Sequence, residues 1–409
     1  MSTIGRALDR DIFRLALPAL GTLAADPLVS LIDTAFVGQL GSTALGGLGV
    51  ATAVFSIAFF MFNFLAYGTT PLVAGAVARG DTAEAGRIAG AALGLGFLLG
   101  VGSTALLQIA AEPLLGLMGA DSELLSSAAL YLRIRALGMP ALLVATVAHG
   151  VFRGHQDTRT PLWVVLGISG ANLILDPILI FGLDWGLAGA AWATMLAQWI
   201  GAAVFVFLFV GRRDQLALQW AWPGKRSLGP LVGAGRALII RSGSLLAAFT
   251  LATAVATRQG EEVVAAHQVA VQLWIFLALV VDALAISAQA LIGLHLTERR
   301  DLARAYSHRL LGWGLVSGLA LLVAMAAGGS FLPALFSNDL DVIRQVESVY
   351  PFIVLMQPLN AVVFVWDGIA IGASRFAFLA ASTVASCPSA APAVTSSSTC
   401  PLPSRRATA

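Results

Sequence analysis

Apolar residues along this chain fall in long, almost uncharged runs. No Asp, Glu, Lys or Arg occurs from Thr34 to Ala78, and further uncharged runs cover 88–111, 185–211 and 310–338. A bilayer core about 30 Å thick takes about 20 apolar residues per helix. On that ruler the pattern predicts spans near 12–36, 45–73, 88–110, 128–152, 160–183, 187–210, 231–257, 264–294, 306–328 and 345–373, ten in all. An apolar stretch at Phe376–Ala385 is too short to cross. The reading is an all-α polytopic membrane protein.

Self-similarity organises the spans. A shift of 218 residues aligns Gly75 with Gly293, Asp121 with Asp339, Pro140 with Pro358, Gly150 with Gly368 and Gly154 with Gly372. Six spans separate equivalent points, an even number, so both halves share one orientation, as in transporters built from parallel repeats. The expected architecture is two parallel six-helix repeats. An amino-terminal lobe of six helices covers 1–213, a loop joins the halves at 214–230, and the second lobe, 231–381, holds four helices and a remnant. The second repeat is incomplete, with about 10–11 helices present. Adding 218 predicts helices near 378–401 and 405–428, but from Ser382 the chain turns rich in Ser, Pro, Ala and Thr. Such composition buries little surface, so 382–409 reads as a disordered tail of the kind a frameshift or truncation leaves.

Composition agrees with the spans: 58% hydrophobic and 11% charged, against roughly 25% charged in soluble proteins. The net charge of +2 matters only through its distribution. Most Arg lie on one side of the spans, beginning with Arg6, Arg10 and Arg14, while Arg133, Arg135, Arg258 and Arg344 lie among acids on the other. The positive-inside rule then puts the amino terminus in the cytoplasm, and the expected location is the inner (plasma) membrane. The first apolar run lacks a small-residue cleavage site and reads as a span, not a removed leader. No basic stripe interleaved with aromatics suits nucleic acid. Both cysteines, Cys387 and Cys400, lie in the tail, so neither a disulfide framework nor a metal spacing is available. No resident cofactor is expected, and the chain reads as a monomer.

Five acids sit well inside spans: Asp26, Asp33, Asp176, Asp282 and Asp367. A mid-membrane Asp costs roughly 2.5–3.5 kcal/mol on insertion scales, so such residues face protein or water and are functional candidates. Asp26 and Asp33, two helical turns apart, share a face of a helix containing Pro18 and Pro27, where each proline removes a hydrogen bond and permits a kink. Asn172 and Asp176 share a face one turn apart, and Pro177 frees the carbonyl of Leu173. That set of hard oxygens suits a small cation or a proton, although membrane Asn also commonly bridges helices. Asp282, Asp367, Gln268 and Gln289 are secondary cavity candidates. His149, His267 and His295 share no spacing and carry no ligand set.

LALPAL (15–20), VSLIDTAFVGQLG (29–41), NLILDPILIFG (172–182) and AAHQVAVQLW (265–274) resemble the multidrug and toxic compound extrusion (MATE) transporters, nearest their DNA-damage-inducible F branch. The resemblance covers about residues 10–380. It implies two six-helix lobes around a cavity, working as an antiporter that exports amphipathic, often cationic organic compounds against inward flow of protons or sodium. By motif, the implied coupling residues are Asp33, Asn172, Asp176 and Thr194, a set that would also hold Na⁺, with hinges at Pro18 and Pro177. Expected partners are small organic molecules and the lipid bilayer. An enzyme is not expected, since the paired-Asp signature of an intramembrane protease is absent. A lipid-linked precursor flippase should show several cavity arginines for pyrophosphate, and none is read mid-span. A non-functional truncated product is the remaining alternative.

Overall fold

The computed structural model describes residues 3–120, 122–212, 225–259, 261–329 and 340–396. Its first half comprises α1 (Thr3–Gly38), α2 (Ser42–Phe60), α3 (Phe64–Ala78), α4 (Thr82–Leu117), α5 (Ser122–Ala136), α6 (Met139–Gly154), α7 (Arg159–Pro177) and α8 (Gly186–Gly211). The second comprises α9 (Lys225–Gln259), α10 (Glu261–His295), α11 (Arg300–Gly328), α12 (Leu340–Gly372) and α13 (Phe376–Ser396). Among the described residues nine segments are long and apolar enough to cross a membrane, and α5 with α6, bent by 49°, makes a tenth. These ten match the ten runs read from hydropathy. In a bilayer every backbone polar group must be satisfied within the chain, so an apolar run of this length has little choice but helix.

Glycine contacts display the repeat. A β-carbon on Gly100 would strike the backbone of Pro140, and one on Gly318 would strike Pro358. Gly96 lies against Val147 and the Leu143 carbonyl, while Gly314 lies against Val365 and the Ala361 carbonyl. Each pair recurs at the 218-residue shift. Small residues thus let α4 approach α6, and α11 approach α12, at the same points in both halves. Asp121 and Asp339, also aligned by that shift, lie outside the described residues.

Two boundaries need correction. The interlobe segment is shorter than 214–230, because α9 is already helical from Lys225. The segment read as a disordered tail from Ser382 is helical to Ser396. Shifting α7 by 218 residues gives 377–395, so α13 is the fifth helix of the second repeat, packed on α9 as α7 packs on α1. Composition misled because it weighs burial in water. What composition could not weigh is docking: buried Phe376, Leu379 and Ala380 seat the start of this helix against its neighbours. Residues 397–409 lie outside the described residues.

At its amino-terminal end, α1 packs against the second half. Leu8, Ile12, Leu15 and Ala16 share a core with residues of α10, α11 and α12. Polar contacts tie the same end. Arg309 donates two hydrogen bonds of 2.6 Å to Asp9, Trp313 donates to Asp9 at 2.7 Å, and Tyr306 donates to Asp11 at 2.6 Å. The carboxyl-terminal half of α1 instead packs on α7 and leaves Asp26, Ser30 and Thr34 accessible. The amino-terminal end of α1 thus belongs to the contact between the halves, while its other end belongs to the first half.

Candidate functional site

The residues proposed for coupling meet. Asn172 Nδ2 donates to Asp33 Oδ1 at 2.7 Å and to Asp176 Oδ2 at 2.7 Å. The carboxyl groups of Asp33 and Asp176 thus share one amide nitrogen. Asp176 is fully buried and Asn172 nearly so, whereas Asp33 is part-exposed. Asn172 Oδ1 and Asp176 Oδ1 are buried without a protein partner. A buried polar oxygen without a partner costs about 1–3 kcal/mol, so these two oxygens are open to a donor or a cation. Its donor set, carboxylate and amide oxygens, suits a proton or a small hard cation.

Local sequence explains how α7 presents these groups. Asn172 and Asp176 are four apart and so share one face. Pro177 cannot donate to Leu173, and the chain passes into a π-helical turn over Ile178–Gly182, closed by Leu183 N donating to Ile178 O at 2.9 Å. Gly189 lies against that turn, where a β-carbon would come 2.6 Å from the Leu179 carbonyl. Pro18 and Pro27, by contrast, are accommodated within one continuous α1.

Asp33 and Asn172 open onto a cavity of about 460 Å³ between α1, α2, α5, α6, α7 and α8, whose wall includes Asp26, Thr52, Tyr131, His149, Thr194 and Gln198. Thr194 is thus on the wall with Asn172, but its hydroxyl donates to its own helix, to Ala190 O at 3.0 Å. Arg135 also lines this cavity, held by Gln198 Oε1 at 3.0 Å and lying 4.4 Å over the Phe55 ring. The sequence reading missed it by assigning Arg133 and Arg135 to the surface. Their position inside the span 128–152 was the available signal, and only Arg133 turns outward, to Glu112.

The secondary candidates do not form one site. Asp367 is ion-paired with Arg241, mid-way along α9, which corrects the reading that no arginine lies mid-span. Asp282 sits in the same mixed-charge region as that pair, with Tyr67 and buried Arg153 of the first half. Gln289 is buried with its carbonyl oxygen unpartnered, and Gln268 is exposed. The 218-residue shift carries Asp33, Asn172 and Asp176 onto Leu251, Ala390 and Val394, so the carboxylate cluster belongs to the first half alone.

Known proteins resemble this chain over most of its length. The MatE family model matches residues 18–178 and 238–393. The chain is 35% identical over 393 residues to Protein DETOXIFICATION 44, chloroplastic, of Arabidopsis thaliana, covering 91% of this chain and 74% of that protein. It is 29% identical over 388 residues to DNA damage-inducible protein F of Escherichia coli, covering 90% and 81%. Among solved structures, a MOP-superfamily transporter from Pyrococcus furiosus superposes with a TM-score of 0.78 at 22% identity, covering 97% of this chain and 99% of that one. A MATE structure in the bent conformation gives 0.79 at 21%, covering 98% and 100%.

Proposed function

Since this chain belongs to the MATE family of multidrug and toxic compound extrusion transporters, we propose that its efflux is antiport driven by protons or sodium bound at Asp33, Asn172 and Asp176. The observation that carries this reading is the buried carboxylate of Asp176 joined to the part-exposed one of Asp33 by one amide nitrogen, with two oxygens left unpartnered. Two like charges so close cannot both be comfortable in a dry bundle, and one bound cation relieves them. Thr194 on the cavity wall keeps lone pairs free to join the bound ion.

The cycle follows from where the halves touch. With the amino-terminal end of α1 latched to the second half and the cavity walled by its other end, the cavity lies away from the amino terminus. The basic bias of that end puts it in the cytoplasm of an inner-membrane protein, so the cavity faces outward. A cation entering from outside joins Asp33 to Asp176, shifting α1 on α7. Pro18 is the point at which α1 can bend, because the Arg14 carbonyl has no helical donor there. The bend collapses the cavity, and an amphipathic organic substrate leaves. Release of the cation inside restores the repulsion. One net charge moving down 100 mV supplies about 2.3 kcal/mol; when a singly charged cation leaves in exchange, the potential cancels and the ion gradient alone drives the cycle.

The wall acids Asp26 and Asp33 outnumber the one wall arginine, Arg135, a balance that suits cationic substrates and opposes a pyrophosphate-bearing lipid. The test is efflux of a fluorescent organic cation from vesicles under an imposed pH or sodium gradient. Asp33→Asn should abolish gradient-driven efflux while leaving dye binding measurable. Full gradient-driven efflux in that variant would overturn the scheme.

A further inference from the structure

We propose a binding site for the headgroup of an anionic phospholipid at the amino-terminal end of the bundle. It is formed by Arg10 and Arg14 of α1 and Arg159 of α7 around a groove of about 610 Å³ whose remaining walls are Phe13, Leu17 and Pro18.

Three observations support it. First, the arginines have no acidic partner among the described residues, although acids lie close by in sequence. Asp9 and Asp11 on α1 are turned to the second half, where Arg309, Trp313 and Tyr306 engage them. Asp157, beside Arg159, caps α7 through Thr160 and pairs with Arg212. Three guanidinium groups are left exposed around one groove.

Second, the level is right. Arg14 and Arg159 are each the last basic residue before the apolar run of their helix, so they stand together where the headgroup layer meets the hydrocarbon. Leu17, one turn beyond Arg14, is 64% exposed, and Pro18 lies beside it. A ligand with phosphate at one end and acyl chain at the other matches that order of charge and apolar surface. Basic pockets between membrane helices on the cytoplasmic side take such headgroups, whereas a free anion would leave the apolar walls unused.

Third, the groove joins two elements. A phosphodiester bridging Arg10 and Arg14 to Arg159 pins α1 to α7, the helices that carry Asp33 and the Asn172–Asp176 pair. It does so beside Pro18 and next to Phe13, which packs edge-on against Trp313 with ring centroids 4.6 Å apart.

Binding is measured by native mass spectrometry of the purified full chain in detergent, titrated with phosphatidylglycerol, phosphatidylcholine or inorganic phosphate. Each arginine near an anionic surface contributes about a 5-fold gain in affinity, so three give a preference on the order of 100-fold for phosphatidylglycerol over phosphatidylcholine. Changing Arg10, Arg14 and Arg159 together to Gln should erase the preference, and each single change should lower it about 5-fold. The same change at Arg299 and Arg300, exposed at the same end, should leave it intact. The single variants keep the test decisive if the triple variant does not fold. Equal retention of both lipids, a preference that survives the single and triple changes, or displacement of phosphatidylglycerol by equimolar phosphate would overturn the proposal. The last result would mean a free-anion site.

Discussion

Replacing Asn172 with Leu tests the carboxylate cluster most directly. Leu matches Asn in side-chain branching, is bulkier, and neither donates nor accepts, so the change removes the amide, and the cost of its extra bulk is the same at every pH. The lost interactions are two hydrogen bonds of 2.7 Å, both to carboxylates. Bonds to charged groups contribute about 1.5–3 kcal/mol each, giving a loss of about 3–6 kcal/mol. The two N–H bonds of one amide diverge by about 120°, which puts the accepting oxygens about 4.7 Å apart. At an effective dielectric of about 20 their repulsion is then about 3.5 kcal/mol. Without the amide, the folded pair is relieved by holding a proton that the unfolded chain has released, and stability then falls as pH rises. The assay is thermal unfolding of detergent-solubilised protein at pH 5.5 and 8.5, in wild-type and Asp33→Asn backgrounds. Asn172→Leu should lower the midpoint more at pH 8.5 than at pH 5.5. In the Asp33→Asn background, where one charge is gone, the deficit should shrink by about half and lose its pH dependence. An equal deficit at both pH values and in both backgrounds would show that Asn172 merely fills space, and the shared-charge argument would fall.

Other consequences are open to measurement. Asp9→Asn, and separately Arg309→Gln, should release the amino-terminal end of α1 from α11, lengthening the distance between spin labels at Ala7 and Arg304; an unchanged distance distribution in both variants would remove the latch. Gly100→Ala and Gly318→Ala should each destabilise by about 1–3 kcal/mol despite alanine's higher helix propensity, because their β-carbons meet proline backbone. Gly102→Ala, on the same helix as Gly100 with open space around it, should be neutral or stabilising. Similar midpoints for all three glycine variants would refute the close-approach account.

Reading and structure part company at identifiable places. Span number was available from run length alone, and the repeat from five punctuating residues. The helix α13 was hidden because a Ser- and Pro-rich composition argues against folding in water, while repeat arithmetic and packing on α9 argue for it. Arg135 was hidden in a different way. Arg133 and Arg135 look alike in sequence, yet the helix turns one toward Glu112 and the other into the cavity. Arg241 lay in plain view within a span, and its partner Asp367 is 126 residues away.

Sequence by itself determined that this is a bundle of membrane helices built as two like-oriented halves, because bilayer thickness and the absence of water leave an apolar run no other structure. It also nominated Asp33, Asn172 and Asp176, since a carboxylate is too costly in hydrocarbon to be incidental. Only the tertiary structure decided that one amide nitrogen joins two acids across 139 residues of chain, and that the first turns of α1 belong mechanically to the second half. Those are facts of distance and direction between helices. They depend on how glycine-lined faces and polar ends fit together, and no periodicity along a single chain records that fit.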